Sequence, residues 1–222
     1  MAGEKIRKLA AALGAEVCGI AGTDRFIEAP EGFRPTDILP GAKSVVVYGR
    51  QFPKSLFAAS SNAPYTLFRN KLIDIVDHIS IRLSAEMEKE GFMTVPVPSS
   101  EPYEYWNPTL RHGRGILSLK HAAQLAGLGF IGKNTLLING KYGNRLWLGA
   151  VISDAPLKSD AQKPGNCPEG CRICRDACPQ SALDGTTIEQ IKCRAISASQ
   201  SEGGGFMLTC NLCRKTCPFS RA

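Results

Sequence analysis

Eight of the nine cysteines lie between residues 167 and 217, and their spacing repeats. CRICRDACP sets Cys171, Cys174 and Cys178 in the order C-x2-C-x3-C-P. CNLCRKTCP sets Cys210, Cys213 and Cys217 in the same order, and one further cysteine precedes each unit, Cys167 and Cys193. Closely spaced thiolates let a short loop wrap a cubane, and the cysteine before proline is the one that ligates the other cluster in two-cluster ferredoxins. On that rule Cys167, Cys171, Cys174 and Cys217 hold one 4Fe-4S cluster, and Cys178, Cys193, Cys210 and Cys213 hold the second. Zinc is the competing chemistry, since C-x2-C is also a zinc half-site. It has no use, however, for a third cysteine followed by proline. The insertion Pro168-Glu169-Gly170 lengthens the first gap by one residue, which a glycine-containing loop absorbs.

Nine is an odd number, and no export signal opens the chain, so a disulfide framework is not expected. No stretch approaches the roughly 20 apolar residues of a membrane span, and a cytoplasmic protein without membrane contact is expected. The formal charge of +7 counts every thiol as neutral. Two thiolate-bound clusters would bring the loaded protein to about +3, so the basic balance is weak evidence for nucleic acid.

These cysteines need a scaffold. The 222 residues, 43% of them hydrophobic, suffice for one domain with a core and a small appendage. Residues 1 to 166 hold Cys18 alone, and the polar LKSDAQKPGN is the natural junction, giving domains 1–160 and 161–222. EKIRKLAAALG has Ile6, Leu9, Ala10 and Leu13 on one helical face with Gly14 as stop, and EVCGIA and SVVVYG read as strands. Phe68, Leu72, Ile75, Val76, Ile79, Leu83 and Met87 define a long helix closed by Gly91. SLKHAAQLAG predicts a helix capped by Ser118 and stopped by Gly127. NTLLING and RLWLGAVISD predict two strands of a hairpin or a neighbouring pair, turning at Asn139-Gly140. Helices interleaved with strands imply an α+β fold with a central sheet.

AAQLAGLGFIGKNTLLI, then RLWLGAVISD, then the double cysteine motif resemble the epoxyqueuosine reductase family, and ILPGAKSVVVYG is similar to the segment entering an early core strand there. The resemblance implies an α/β sandwich like that of flavin nitroreductases. It also implies that this domain holds cobalamin, or less readily a flavin, and is fused to a ferredoxin-like module with two 4Fe-4S clusters that feed electrons to the cofactor. The arrangement is shared with reductive dehalogenases. Two departures stand out. The family's acidic proton donor has no counterpart, since no carboxylate lies between Glu104 and Asp154. The chain also stops four residues after Pro218, where the family continues into helical repeats that grip tRNA. On this reading tRNA is not expected as a partner.

GLGFIGKN is not a nucleotide phosphate loop, because two residues separate Gly129 from Gly132 and Asn134 replaces the hydroxyl residue. The resemblance makes Gly129, Phe130, Gly132, Lys133 and Asn134 a tight turn against a planar cofactor. His112 and His121 flank the position of the missing acid and are the candidate proton donors. Arg111 and Arg114 could bind an anion or form a solvated face. The run from Tyr103 to Trp106 reads as a loop packed on the core or as a lid shielding a reduced metal, with Tyr105 expected to meet the cofactor. Cys18 reads as a buried structural thiol, His78 as structural, and GGGF (203–206) as a flexible connection. Two functions are weighed: a cobalamin-dependent iron-sulfur reductase, and an electron-transfer protein that reduces a separate corrinoid or flavin protein. Either would draw electrons from a ferredoxin or flavodoxin.

Overall fold

The computed structural model describes residues 3–200 and 203–221. In chain order they form α1 (Gly3–Ala12), β1 (Val17–Gly22), α2 (Pro35–Ile38), β2 (Ser44–Gln51), α3 (Ala63–Lys89), β3 (Thr94–Val97), β4 (Tyr105–Asn107), β5 (His112–Arg114), α4 (Leu119–Leu125), β6 (Phe130–Ile131), β7 (Leu137–Ile138) and β8 (Leu146–Ser153). The cysteine-rich part adds α5 (Ile173–Asp176), α6 (Gln190–Ile196), β9 (Ala198–Gln200), β10 (Phe206–Leu208) and α7 (Leu212–Lys215).

The central sheet is antiparallel, in the order β1-β2-β8-β3. Its middle strand explains why SVVVYG is a continuous apolar run. Val45 and Val47 face a layer containing α4, Val46 and Tyr48 face α1 and α3, and all four are fully buried. A strand covered on both sides has no polar face to alternate with. The register Ser44↔Ser153 through Gln51↔Leu146 is pinned by that two-sided packing, since a slip of one residue would exchange the faces. Pro96 sits in edge strand β3, where a missing amide donor costs least.

On the α3 face Val76, Ile79, Leu83 and Met87 are fully buried. Burying such side chains contributes roughly 1.5–3 kcal/mol each, as an upper bound. Ile75, which the helical spacing placed on this face, is instead 41% exposed, because the stripe drifts round a helix of 27 residues. The helix also starts earlier than the apolar pattern, at Ala63, with Pro64 in its first turn. The long helix is held to the sheet by a bond between the Tyr48 hydroxyl and Ser80 Oγ as well.

Two expectations are corrected. β7 does not pair with β8: it forms a two-stranded ladder with β6, while β8 is central in the main sheet. A strand of two residues carries too little pattern to reveal its partner. The Asn139-Gly140 turn is present, with Asn139 Oδ1 accepting from the amides of Lys141 and Tyr142. Ser118 is the residue before α4, but its hydroxyl makes no capping bond and meets His121 Nδ1 at 2.6 Å.

The junction is bound tightly to the sheet. Asp160 N–H donates to Ile20 O at 2.9 Å, its carboxylate accepts from Ile20 N and from Arg7, and Ser159 Oγ accepts from Gly22 N. Cys18 lies next to this point. Burial pushes its thiol up to about 12, against the pull of Arg7, as suits a packed structural thiol. His78 is exposed on α3. Gly203, Gly204 and Gly205 precede β10 on the β9–β10 pair; residues 201 and 202 lie outside the described residues.

Candidate metal centres and the adjoining cavity

Each C-x2-C loop turns directly into a one-turn helix, α5 carrying Cys174 and α7 carrying Cys213, and these two helices pack together. The electrostatic neighbourhoods of the thiols fall into two sets. Burial raises Cys174, and Cys167 and Cys171 push it further; burial raises Cys217, with Cys174, Cys167 and Cys171 acting in the same sense. Burial likewise raises Cys193, reinforced by Cys210 and Cys178. Cys213 is pushed up to about 11 by burial, with Cys193, Cys210 and Cys178 adding to it and Arg214 opposing. Each set therefore joins thiols from both sequence repeats. Buried thiols that raise one another need added positive charge before they can all ionise, and a bound metal centre supplies it. Among the described residues no three His, Cys, Asp or Glu side chains are close enough to share a single metal ion. Two backbone amides already aim at the sulfurs: Lys133 N–H at Cys167 Sγ and Ala182 N–H at Cys178 Sγ, both at 3.4 Å.

The GLGFIGKN segment belongs to this neighbourhood. Lys133 Nζ donates to Cys171 O at 3.0 Å and Asn134 Nδ2 to Cys213 O at 3.2 Å, so one dipeptide ties down both cysteine loops. Phe130 packs edge-on against Phe219, with ring centres 5.8 Å apart. Gly129 has φ +154°, and a Cβ there would strike the Ile138 carbonyl; Gly132 lies against Ile138. The sequence expectation of a cofactor cradle differs from these contacts, which run to the cysteine loops. None of Gly129, Phe130, Gly132, Lys133 and Asn134 lines the cavity described next. The hydrogen-bond partners of Lys133 and Asn134 lie 34 to 79 residues away in the chain, beyond the reach of local pattern.

Further seams hold the two parts together. The buried Arg214 donates to Asn144 O and lies over the Phe52 ring at 4.9 Å, while Asn144 Nδ2 returns a bond to Arg214 O at 3.1 Å. Gly143, at φ +56°, lets the Phe219 carbonyl pass where a Cβ would stand.

The cavity, about 560 Å³, opens beside α4. Phe26, Phe33, Leu117 and Leu125 give it apolar walls, and His112, Arg114, His121 and Gln124 give it polar ones. The two candidate histidines are therefore brought to one site. Burial, and then Lys120, hold the His121 imidazole below its usual range, favouring the neutral ring at neutral pH. Arg114 lies over Phe33 at 5.6 Å and over Tyr105 at 5.3 Å. Tyr105 meets His112 edge-on at 6.4 Å and flanks the cavity without lining it. Arg111, at φ +47°, is exposed at the hairpin turn.

Sequence reasoning missed three residues here. Glu28 is the one carboxylate among the lining residues, brought in by the loop after β1. Gln190 of α6 reaches the cavity from the cysteine-rich part. It accepts from Gly113 N at 3.0 Å and donates to Gly113 O at 3.1 Å. Arg194, one turn on, donates to Gln190 Oε1 and lies over Trp106 and Tyr103 at 5.1 and 5.7 Å. Tyr103 and Trp106 stack on each other at 6.1 Å, so the aromatic run packs against α6 and not on the sheet core. Nothing in the spacing around Gln190 announced this role.

Comparison with known proteins places the geometry in context. No family model matches the sequence. An epoxyqueuosine reductase of Staphylococcus aureus is 34% identical over 118 residues, covering 48% of this chain and 30% of that protein. One of Gloeobacter violaceus is 26% identical over 214 residues, covering 91% of this chain and 64% of its own length. The chain thus spans less than two thirds of these relatives. Among solved structures, an epoxyqueuosine reductase with an epoxyqueuosine-modified tRNA-Tyr stem loop superimposes with a TM-score of 0.67 at 20% identity, covering 99% of this chain and 65% of that one. A B12-dependent reductive dehalogenase does so with a TM-score of 0.66 at 20% identity, covering 99% and 32%. The mixed α/β fold is thus the one found in both kinds of protein, and the resemblance read from the sequence is met.

Proposed function

We propose that this protein is an iron-sulfur oxidoreductase of the epoxyqueuosine reductase type, in which two 4Fe-4S clusters pass electrons to a cobalamin at the cavity beside α4. Cys167, Cys171, Cys174 and Cys217 would hold one cluster and Cys178, Cys193, Cys210 and Cys213 the other. The observation that carries the reading is the placement of α6: it bears Cys193 of the second set and, three residues earlier, Gln190 in the cavity wall. The donor set fits clusters, since eight thiols gather in two sets of four with amide donors on two sulfurs. The cavity fits part of a corrin with a substrate edge, having apolar walls, the amide of Gln124 for carboxamide contacts, and an open mouth. Bound cobalamin would supply a cobalt centre that takes up electrons singly and acts on an electrophilic substrate.

The chain's own residues define the remaining roles. Lys133 and Asn134 hold the cysteine loops, and the 3.4 Å amides would tune cluster potential. His112 and His121, both in the cavity wall, would deliver a proton to the substrate. His121, kept neutral near pH 7, gives up a proton from its charged form only in the acidic range. The exposed Tyr105, with Arg111 and Arg114 on the same hairpin, suits a base contact beside phosphate contacts, which favours a tRNA substrate. A ferredoxin or flavodoxin would reload the clusters.

The test is anaerobic reconstitution of the full chain, analysis for about eight irons, and titration with cobalamin followed by absorbance and cobalt paramagnetic resonance, before and after reductant. Stoichiometric binding with reduction of cobalt through the clusters is the expected result. Clusters that reduce while cobalamin neither binds nor changes would overturn the cobalamin assignment. They would leave an electron-transfer protein serving a separate corrinoid or flavin protein.

A further inference from the structure

Between the cavity and the second thiol set there is one short mechanical path. β5 carries His112 and Arg114 into the cavity wall, and its central residue, Gly113, is gripped through both backbone groups by the Gln190 side chain. Gln190 is in turn held by the fork of Arg194, whose Nε and Nη2 both lie 3.2 Å from Oε1. Cys193 stands between these two residues on the same seven-residue helix. Gly113 is also closely packed: a Cβ there would lie 3.1 Å from the Tyr103 ring and 3.2 Å from that of Trp106. Apart from this grip and the Arg194 guanidinium over Tyr103 and Trp106, the hairpin is weakly anchored, with Tyr105, Trp106 and Leu110 each about half exposed.

We propose that Gln190 is a positioning residue that links the filling of the second cysteine set to the shape of the cavity: a cluster on Cys193 fixes α6, α6 fixes Gly113, and Gly113 sets His112 and Arg114. The proposal rests on the cluster reading above. It assigns to Gln190 and Arg194 a role beyond holding two parts together, because the grip responds to one of the two clusters. The cavity wall is complete when the electron source next to it is in place and loosened when it is not.

The test uses the full chain, kept anaerobic, with hydrogen exchange of the peptide covering 105–114 and total iron read in parallel. Losing one or both bonds at Gly113 should speed exchange by about tenfold. In Cys193→Ser, which empties the second set, the hairpin should exchange about tenfold faster; in Cys167→Ser, which empties the first, it should not change. Gln190→Ala, with its full complement of iron, should already exchange at the faster rate. Adding Cys193→Ser to it should then have no further effect. Gln190→Glu keeps the acceptor for Gly113 N–H and Arg194 but loses the amide donor, and should fall between, at about threefold. A hairpin equally protected in Cys193→Ser and in the parent, with iron analysis showing the second set filled in the parent, overturns the link and leaves the cluster reading standing. Absence of iron from the second set in the parent overturns both.

Discussion

The sheet domain and the cysteine-rich part are stabilised by different means. Up to residue 160 the chain buries whole aliphatic faces, with Val45, Val46, Leu83, Val151 and Ile152 fully enclosed. Among the described residues from 161 onward the buried apolar ones are Cys174, Ala182, Leu183 and Cys217, two of them thiols in the proposed ligand sets. A region with so small a core depends on staples, and the proposed clusters would supply them, together with hydrogen bonds to the sheet domain. One part of the molecule should therefore tolerate loss of iron, and the other should not.

The largest expected effect exploits that difference. Stripping iron with a chelator under anaerobic conditions should remove exchange protection from residues 161 to 221 while β2 and β8 remain protected; equal loss in both regions would break the comparison. Next comes Leu83→Ala, which removes a fully buried side chain between α3 and the sheet. It should cost about 3 kcal/mol in denaturant unfolding of the sheet domain and leave the iron content unchanged. Gly143→Ala works at the seam: φ +56° and the backbone of Phe219 leave the new Cβ nowhere to go. A cost of roughly 2 kcal/mol is expected, with iron lost from the set containing Cys217, two residues before Phe219.

The smallest effect belongs to pH. His121 is held below its usual range in the fold, so the unfolded chain takes up its proton first as pH falls. Stability should decline as pH drops below about 6.5 and level off beneath the folded value. His121→Asn should flatten that slope, and unfolding curves between neutral and mildly acidic pH would show it.

How much of this was legible beforehand depended on reach along the chain. The β2 run, the long helix and the cysteine repeat were readable because each is a local pattern: a continuous apolar strand, a 3.6-residue stripe, a spacing rule. The pairing of β7 was not, since two residues have no period. The contacts of Lys133 and Asn134 were not readable either. Each meets a backbone carbonyl that sequence cannot mark, in a loop that becomes a neighbour on folding. Gln190 was invisible for the same reason.

The account stands most directly on the crossing of the two repeats, each thiol set including the last cysteine of the other repeat. Reconstituted Cys217→Ala and Cys178→Ala should be compared by iron count and by paramagnetic resonance of each cluster. The account predicts that Cys217→Ala damages the cluster on Cys167, Cys171 and Cys174, and that Cys178→Ala damages the one on Cys193, Cys210 and Cys213. Damage confined to the cluster of each residue's own repeat, or two intact clusters in either variant, would contradict it.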